Sequence, residues 1–498
     1  MRRALKTSMA VALGFALAHS GFAGESVVSD TKKITLDQAA EMAMKHNPDI
    51  LKAIQEIERT RGLVLEVRAQ ALPSATLVSR YNQEDRSLLK PRGASSGDSG
   101  SSDLDLTNLG SGMPGAPVVI VIPGSGGGEF ERLDKSWRVA MDVRQVLYAG
   151  GQVRAALKIA DFTRDSSYYQ LLDTVEQVIY TVRQQFYDII LNRALIRVQE
   201  QALRLAEQQL KDQKNRFDAG TVPRFNVLRA EVEVSNVRPS LIRAKNDYRI
   251  AIWRLMKTLG QNTLSADSKT NPFEVFGQLG TGQPLKDLDK AIALARERRP
   301  FLKVQRLNIL NATEQIKVAL AGYKPRLDLV GGYEARNSSA SDDIDDTVNG
   351  WFFGVEGSWA VFDGFETKGK AMQARAQLEQ AKVTYDDSVR RVDLEVQEAF
   401  TNVQQGVELI ESQEKNVEQA NEAVRLATER FNAGAGTQLD VLDAQTALTD
   451  SETNALQARY TYYIAKADFD RATSADTKFE ETFDDPLVKS TKAKSKKR

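Results

Sequence analysis

Two carboxylates three residues apart, Asp440 and Asp443, form the pair whose spacing could do chemistry in this 498-residue sequence. Positions i and i+3 of a helix share a face, so both charges would point the same way and attract cations. The plainer reading is an ordinary solvated acidic face just after a helix start, where the helix dipole favours negative charge. Other chemistry is scarce. With no cysteine there can be no disulfide, thiolate metal site or lipidated cysteine. The two histidines are His19, within a segment expected to be removed, and His46, in a polar Lys-His-Asn context. That leaves almost nothing for Ser-His-Asp hydrolysis or His-metal chemistry, so no enzyme activity, cofactor or metal is expected. Val118 to Ile122 followed by Pro123-Gly124-Ser125-Gly126-Gly127-Gly128 looks like a strand and a phosphate loop. No Lys-Ser/Thr follows, and the next pattern is a strand rather than a helix, so this stretch reads as an external loop. Acidic and basic residues number 67 each, and a net charge of zero argues against a nucleic-acid partner.

The positioning elements begin after a secretory signal. Arg2, Arg3 and Lys6 precede an apolar stretch from Met9 to Ala18 and a small-residue site at Gly21-Phe22-Ala23, predicting a signal peptide over 1–23 and a mature start near Gly24. No later stretch reaches about 18 uninterrupted apolar residues, so any membrane crossing must use strands. The basic run from Lys489 to Arg498 reads as part of a solvated tail.

The sequence repeats itself. Arg216-Phe217-Asp218-Ala219-Gly220 recurs as Arg430-Phe431-Asn432-Ala433-Gly434, an offset of 214 (430 less 216). Val227-Leu228-Arg229-Ala230 recurs as Val441-Leu442-Asp443-Ala444, and Leu147-Tyr148-Ala149-Gly150 as Val361-Phe362-Asp363-Gly364, at the same offset. Nearer the start of each half, Leu36, Pro48 and Pro73 match Leu288, Pro300 and Pro325 at an offset of 252 (325 less 73). The difference, 38, is an insertion in the first half between Pro73 and Leu147, where the sequence turns Gly/Ser-rich and a loop is expected.

Within this register apolar residues recur every seventh position, from Val175 through Val182 and Ile189 to Phe217, and from Val389 through Val396 and Val403 to Phe431. A sustained seven-residue period implies left-handed helix-on-helix packing. The intervening positions, such as Gln185, Gln213, Ala399 and Gly406, are small or polar, which suits close packing. A helix from Gly151 to Phe217 would extend roughly 100 Å at ~1.5 Å per residue, too long for an ordinary globular core. Glycine turns at Ala219-Gly220-Thr221 and Ala433-Gly434-Ala435-Gly436-Thr437 then reverse the chain. Thr35 to Gln38 fits a capping box and Asp287 a cap, while Pro48, Pro300 and Pro239 are expected to kink, reset or break their helices.

Between helices the pattern alternates. Pro73 to Gln83, Lys135 to Leu147, Pro325 to Asn337 and Gly350 to Phe362 read as four strands, with Trp137, Trp351, Phe353 and Trp359 as the aromatics of a barrel. Four strands cannot close a barrel alone, and open edges in lipid leave backbone groups unpaired, so membrane insertion demands oligomers.

These features resemble the TolC family of outer-membrane efflux ducts. The resemblance rests on Ile34-Thr35-Leu36-Asp37-Gln38-Ala39 with Asn47-Pro48, on Val361-Phe362-Asp363-Gly364, and on Arg430-Phe431-Asn432-Ala433-Gly434 followed by Asp440-Val441-Leu442-Asp443-Ala444. It implies a mixed, internally duplicated membrane protein: a homotrimer whose twelve-stranded β-barrel, four strands per chain, continues into a long periplasmic α-helical barrel. The expected parts are a signal peptide (1–23), an α-barrel helix (24–73), two barrel strands with the long external loop (74–147), a helical hairpin (148–260) and a linker (261–285). The second repeat follows with a helix (286–324), two strands (325–362) and a hairpin (363–475), before a polar basic tail (476–498).

The implied function is the exit duct of a tripartite efflux pump or type I secretion system. Its partners would be a periplasmic adaptor, an inner-membrane transporter and outer-membrane lipid. Asp440 and Asp443 match the family's periplasmic constriction, where copies from each subunit would form a cation-attracting ring. The first-half counterparts, Asn226 and Arg229, depart from it, and Arg229 is expected to pair with a neighbouring carboxylate. Arg216, Phe217, Gly220, Thr221, Arg430, Phe431, Gly434, Gly436 and Thr437 are the expected tip and adaptor contacts. The rival reading is a periplasmic coiled-coil scaffold or adaptor without a pore.

Overall fold

The computed structural model describes residues 32–83, 135–262, 273–337 and 345–475. The expected signal peptide, the Gly/Ser-rich loop and the basic tail lie outside them. In chain order the elements are β1 (Lys32–Ile34), α1 (Leu36–His46), α2 (Pro48–Ala69), β2 (Ser74–Gln83), β3 (Lys135–Ala149), α3 (Gln152–Asp218), α4 (Arg224–Thr258) and β4 (Phe273–Val275). Then come α5 (Leu288–Arg298), α6 (Pro300–Leu320), a 3-10 turn (Ala321–Tyr323), β5 (Arg326–Asn337), β6 (Thr347–Ser358), α7 (Glu366–Asn432) and α8 (Gln438–Ala472). Both α3 and α7 have 67 residues and both α4 and α8 have 35. The two pairs start 214 apart (366 less 152, 438 less 224).

The chain forms two compact units. Among the described residues, the first comprises those within 32–46, 181–282 and 406–464, and the second those within 47–180, 283–405 and 465–475. In the first unit, Val182, Ile189 and Ile410 of the seven-residue seams are buried along with Ile252, Leu255 and Phe273. Burying a side chain of that size stabilises by about 1.5–3 kcal/mol. Close helix approach is visible at Gly406, where an added Cβ would stand 3.0 Å from Tyr462 Cα. The parallel pair β1–β4 also belongs here, with Phe273 and Val275 buried. These strands lie inside stretches expected to be helix and linker. At three residues each they are too short to show a period.

In the second unit, Ala291, Ala295, Leu302, Val392, Val396, Ala399 and Ala472 form a core, with Phe301 and Phe469 packed against it. Asn47 separates α1 from α2, its side chain accepting from the Asp49 and Ile50 amides at 2.8 and 3.4 Å, and Pro48 takes the first helical position. Pro300 likewise starts α6, so each proline resets its helix where its missing N–H costs least. Of the kink or break expected at Pro239, the break does not occur, for α4 continues through it. One lost N–H in 35 residues leaves the flanking ladder to hold the helix.

Four antiparallel strands of this unit form one sheet in the order β2-β3-β5-β6. Cross-strand partners share a face. One face carries Leu77, Tyr81, Trp137, Val139, Met141, Val143, Leu327, Tyr333, Trp351, Phe353 and Val355. The other holds Arg80, Arg138, Asp142, Arg144, Arg326, Asp328, Glu334, Arg336 and Glu356. A bulge between Val146 and Tyr148 keeps Tyr148 opposite Leu327 on the apolar side. Trp351 is 80 % and Phe353 69 % exposed in the single chain, so the apolar face is not laid on a soluble core. Trp359 corrects an expectation: β6 stops at Ser358, because its ladder partner β5 begins at Arg326. Past the strand, its indole N–H donates to the Tyr323 carbonyl at 3.1 Å.

Candidate functional site at the hairpin tips

Both long hairpins reverse in the same way. The Gly220 amide donates to Phe217 O at 2.8 Å and the Thr221 amide to Arg216 O at 2.9 Å; Gly434 and Ala435 repeat this with Phe431 O and Arg430 O at 3.1 and 2.9 Å. Gly220 and Gly434 sit at φ +74° and +76°, the left-handed conformation that ends such a helix. The Thr221 hydroxyl adds a 2.8 Å bond to Arg216 O. Gly436 packs close to its own turn, where an added Cβ would lie 3.2 Å from Arg430 Cβ.

The two tips touch within the first unit. The Arg216 guanidinium donates to Asn432 Oδ1 at 3.1 Å and lies over the Phe431 ring, 4.8 Å from its centroid. Gln438 Nε2 donates to the Asn226 carbonyl at 3.4 Å. Phe217, 41 % exposed, has no such cation above it among the described residues. Arg229 makes no ion pair among the described residues, so the expected pairing with a carboxylate is not found among them.

Asp440 and Asp443 are both exposed near the start of α8, one turn apart. Asp440 is already engaged. Its Oδ2 accepts from the Thr437 amide at 2.8 Å, while its own amide donates to Thr437 Oγ1 at 3.2 Å, closing a reciprocal cap. The Thr437 amide, helped by its hydroxyl and by Arg430, holds the Asp440 carboxyl below the usual carboxylate range. Asp443 makes no ion pair or side-chain hydrogen bond among the described residues, leaving its charge free for solvent or a partner. Asp440 therefore has a structural task, and Asp443 is the more available charge.

A second polar cluster had no signal in the sequence. In the second unit Arg299, 5 % exposed, donates to Glu395 Oε2 at 2.9 Å and to the Arg471 carbonyl at 3.1 Å. Burial pushes the nearby Asp173 carboxyl up, against the opposing pull of Arg299 and Arg471. The partners are distant in sequence, so no local spacing announces them. Among the described residues no group of His, Asp or Glu could hold a metal ion, and no helix is long and apolar enough to cross a membrane.

The family model described as "Outer membrane efflux protein" matches residues 39–261 and 291–475. Nodulation protein T of Rhizobium leguminosarum bv. trifolii is 20 % identical over 426 residues, covering 85 % of this chain and 82 % of the relative. Outer membrane protein TolC of Salmonella enteritidis is 23 % identical over 478 residues, covering 92 % and 84 %. Among solved structures, the Campylobacter jejuni CmeC outer membrane channel superposes with a TM-score of 0.67 at 16 % identity, over 88 % of this chain and 85 % of that one. With its long helices, four-stranded sheet and matched span, the chain belongs to the outer membrane efflux protein family.

Proposed function

We propose that three copies of this internally duplicated chain close a twelve-stranded barrel, with the long hairpins as a periplasmic tube ending at Asp440 and Asp443. The chain is an outer-membrane protein of efflux and secretion, and this reading gives it the part of exit duct. The observation that supports it most is the sheet itself. β2 and β6 have no further partner among the described strands, one face is apolar and exposed, and the opposite face is charged. A sheet of this kind is stable in lipid only when its edges pair with other copies, turning the apolar face outward and the charged face inward. The duplication is supported by the equal lengths of α3 and α7 and of α4 and α8 at one offset. On the same reading 1–23 is a cleaved signal, 261–285 links the repeats and 476–498 is a tail.

The tips are proposed as the constriction and as the surface that meets a periplasmic adaptor, with the energy source in an inner-membrane transporter. Arg229, without an ion pair among the described residues, would find a carboxylate on a neighbouring copy. An Arg229→Ala change that left the isolated channel's conductance untouched would remove that pairing. The main test is single-channel recording of the purified protein in planar bilayers, before and after changing both Asp440 and Asp443 to alanine. Conductance that widens or loses cation preference supports duct and ring together. Conductance indifferent to the change keeps the duct and discards the ring; a correctly inserted oligomer that passes no current leaves the scaffold reading in its place.

A further inference from the structure

Charge is distributed unevenly along the sheet's polar face. At the end nearest the helices, Arg144 and Arg326 meet Asp328 and Glu356: Arg144 lies 2.7 Å from Asp328 and 3.3 Å from Glu356, and Arg326 2.9 Å from Asp328. Two cations face two anions. At the far end, Arg80, Arg138 and Arg336 stand directly opposite one another on β2, β3 and β5. Glu334 is their one carboxylate among the described residues, 2.8 Å from Arg138 and 3.6 Å from Arg336. Arg80 has no ion-pair partner among them. The row occupies the seventh of ten residues in β2 and the eleventh of twelve in β5, so it lies toward the ends of both strands remote from the preceding helices. The side chains of Arg138 and Arg336 remain 48 % and 59 % exposed.

Like charges directly opposite across strands are destabilising, and three in one row multiply that cost. Such a row persists most readily where something negative meets it. We infer that Arg80, Arg138 and Arg336 form an anion-attracting ring at the outer end of the channel, which favours solutes bearing carboxylate or phosphate groups. The inference rests on the reading that this charged face lines a lumen. Around a three-fold axis the row becomes nine arginines against three Glu334 carboxylates, three and one per chain. A ring of fixed cations concentrates anions locally, and guanidinium groups bind carboxylate and phosphate oxygens in paired contacts. The sheet would then carry a basic row, where the hairpin tips carry the acidic pair Asp440 and Asp443. This places a solute filter in the sheet, separate from the hairpins.

The test uses full-length channel in planar bilayers, with inorganic tripolyphosphate as a blocker added from the sheet side. Changing all three arginines to glutamine is expected to raise the half-blocking concentration at least about tenfold, whereas changing all three to lysine keeps it within about twofold, because the charge persists. Glu334→Gln acts in the opposite direction, removing the row's counter-charge and lowering the half-blocking concentration. This second variant decides the matter should the triple glutamine change fail to assemble. Block that ignores both the arginines and Glu334 in a conducting channel overturns the ring alone. An inserted wild-type oligomer without conductance overturns the duct reading, and the ring with it.

Discussion

The two hairpin tips share one backbone and differ in chemistry. Both end their long helix with a left-handed glycine, Gly220 or Gly434, and the same pair of turn bonds. The helix that follows is treated differently. In the first half Pro223 precedes α4 and gives it no side-chain cap; in the second, Thr437 and Asp440 cap α8 reciprocally. Where the first half has Asn226 and Arg229, the second has Asp440 and Asp443. The geometry needed to reverse the chain leaves little freedom, so it recurs. The exposed faces are unconstrained by the turn and have diverged, placing negative charge on one hairpin and positive on the other.

The largest expected effect comes from erasing that divergence. Converting Asp440 and Asp443 together to Asn and Arg, the first-half residues, should lower the cation-to-anion permeability ratio by about tenfold or more, read from reversal potentials in a salt gradient. Asp443→Asn alone should account for most of the change, because Asp440 also serves the cap. If Asp440→Asn proves the stronger single change, the two carboxylates do not divide their tasks in this way.

Backbone equivalence is tested next. Gly220→Ala and Gly434→Ala should each cost about 1–2 kcal/mol, since both force a side chain into left-handed geometry with no neighbour within 4 Å to compensate. Equal losses in denaturant titrations would keep the turns equivalent, and a large inequality would separate them. Thr437→Ala should cost about 1 kcal/mol through loss of the α8 cap, with no matching loss on changing Pro223 to Ala.

That cap also has a pH signature. The folded Asp440 carboxyl titrates below its usual value of 3.8, so its contribution is full above that value and disappears as pH falls through the lower folded one. Hydrogen exchange at the α8 amides nearest Thr437 should rise in that acid window, and Asp440→Asn should abolish the dependence. The smallest effect belongs to Arg216→Ala, about 0.5–1 kcal/mol for the cation over Phe431, whereas Arg430→Ala should lose less because no ring lies beneath that cation among the described residues. A double-mutant cycle of Arg216 with Phe431 measures it.

Much of the fold was legible because periodic burial leaves a periodic sequence. The seven-residue seams through Val182 and Ile189, and through Val396 and Val403, place these residues in the cores. Trp359 was misplaced for a physical reason: alternation shows which face a residue prefers, but a strand ends where its partner's hydrogen bonds end, and that partner is β5. Pro239 does not break its helix, because a single missing donor does not decide the fate of a helix that long. Of the site, Asp440 and Asp443 were visible as a spaced pair, while the bond from Arg216 to Asn432, 216 residues on, was not.

The sequence by itself determined the long helices, the glycine reversals and the alternating strands, since each follows from neighbours within a turn or two. Only the tertiary structure decided that Asp440 caps a helix while Asp443 stays free, that Arg299 is buried against Glu395, and that Arg80, Arg138 and Arg336 share a row. Those facts depend on strand register and helix packing between residues far apart in the chain. Such contacts are fixed by the fold's total free energy and leave no local pattern to read.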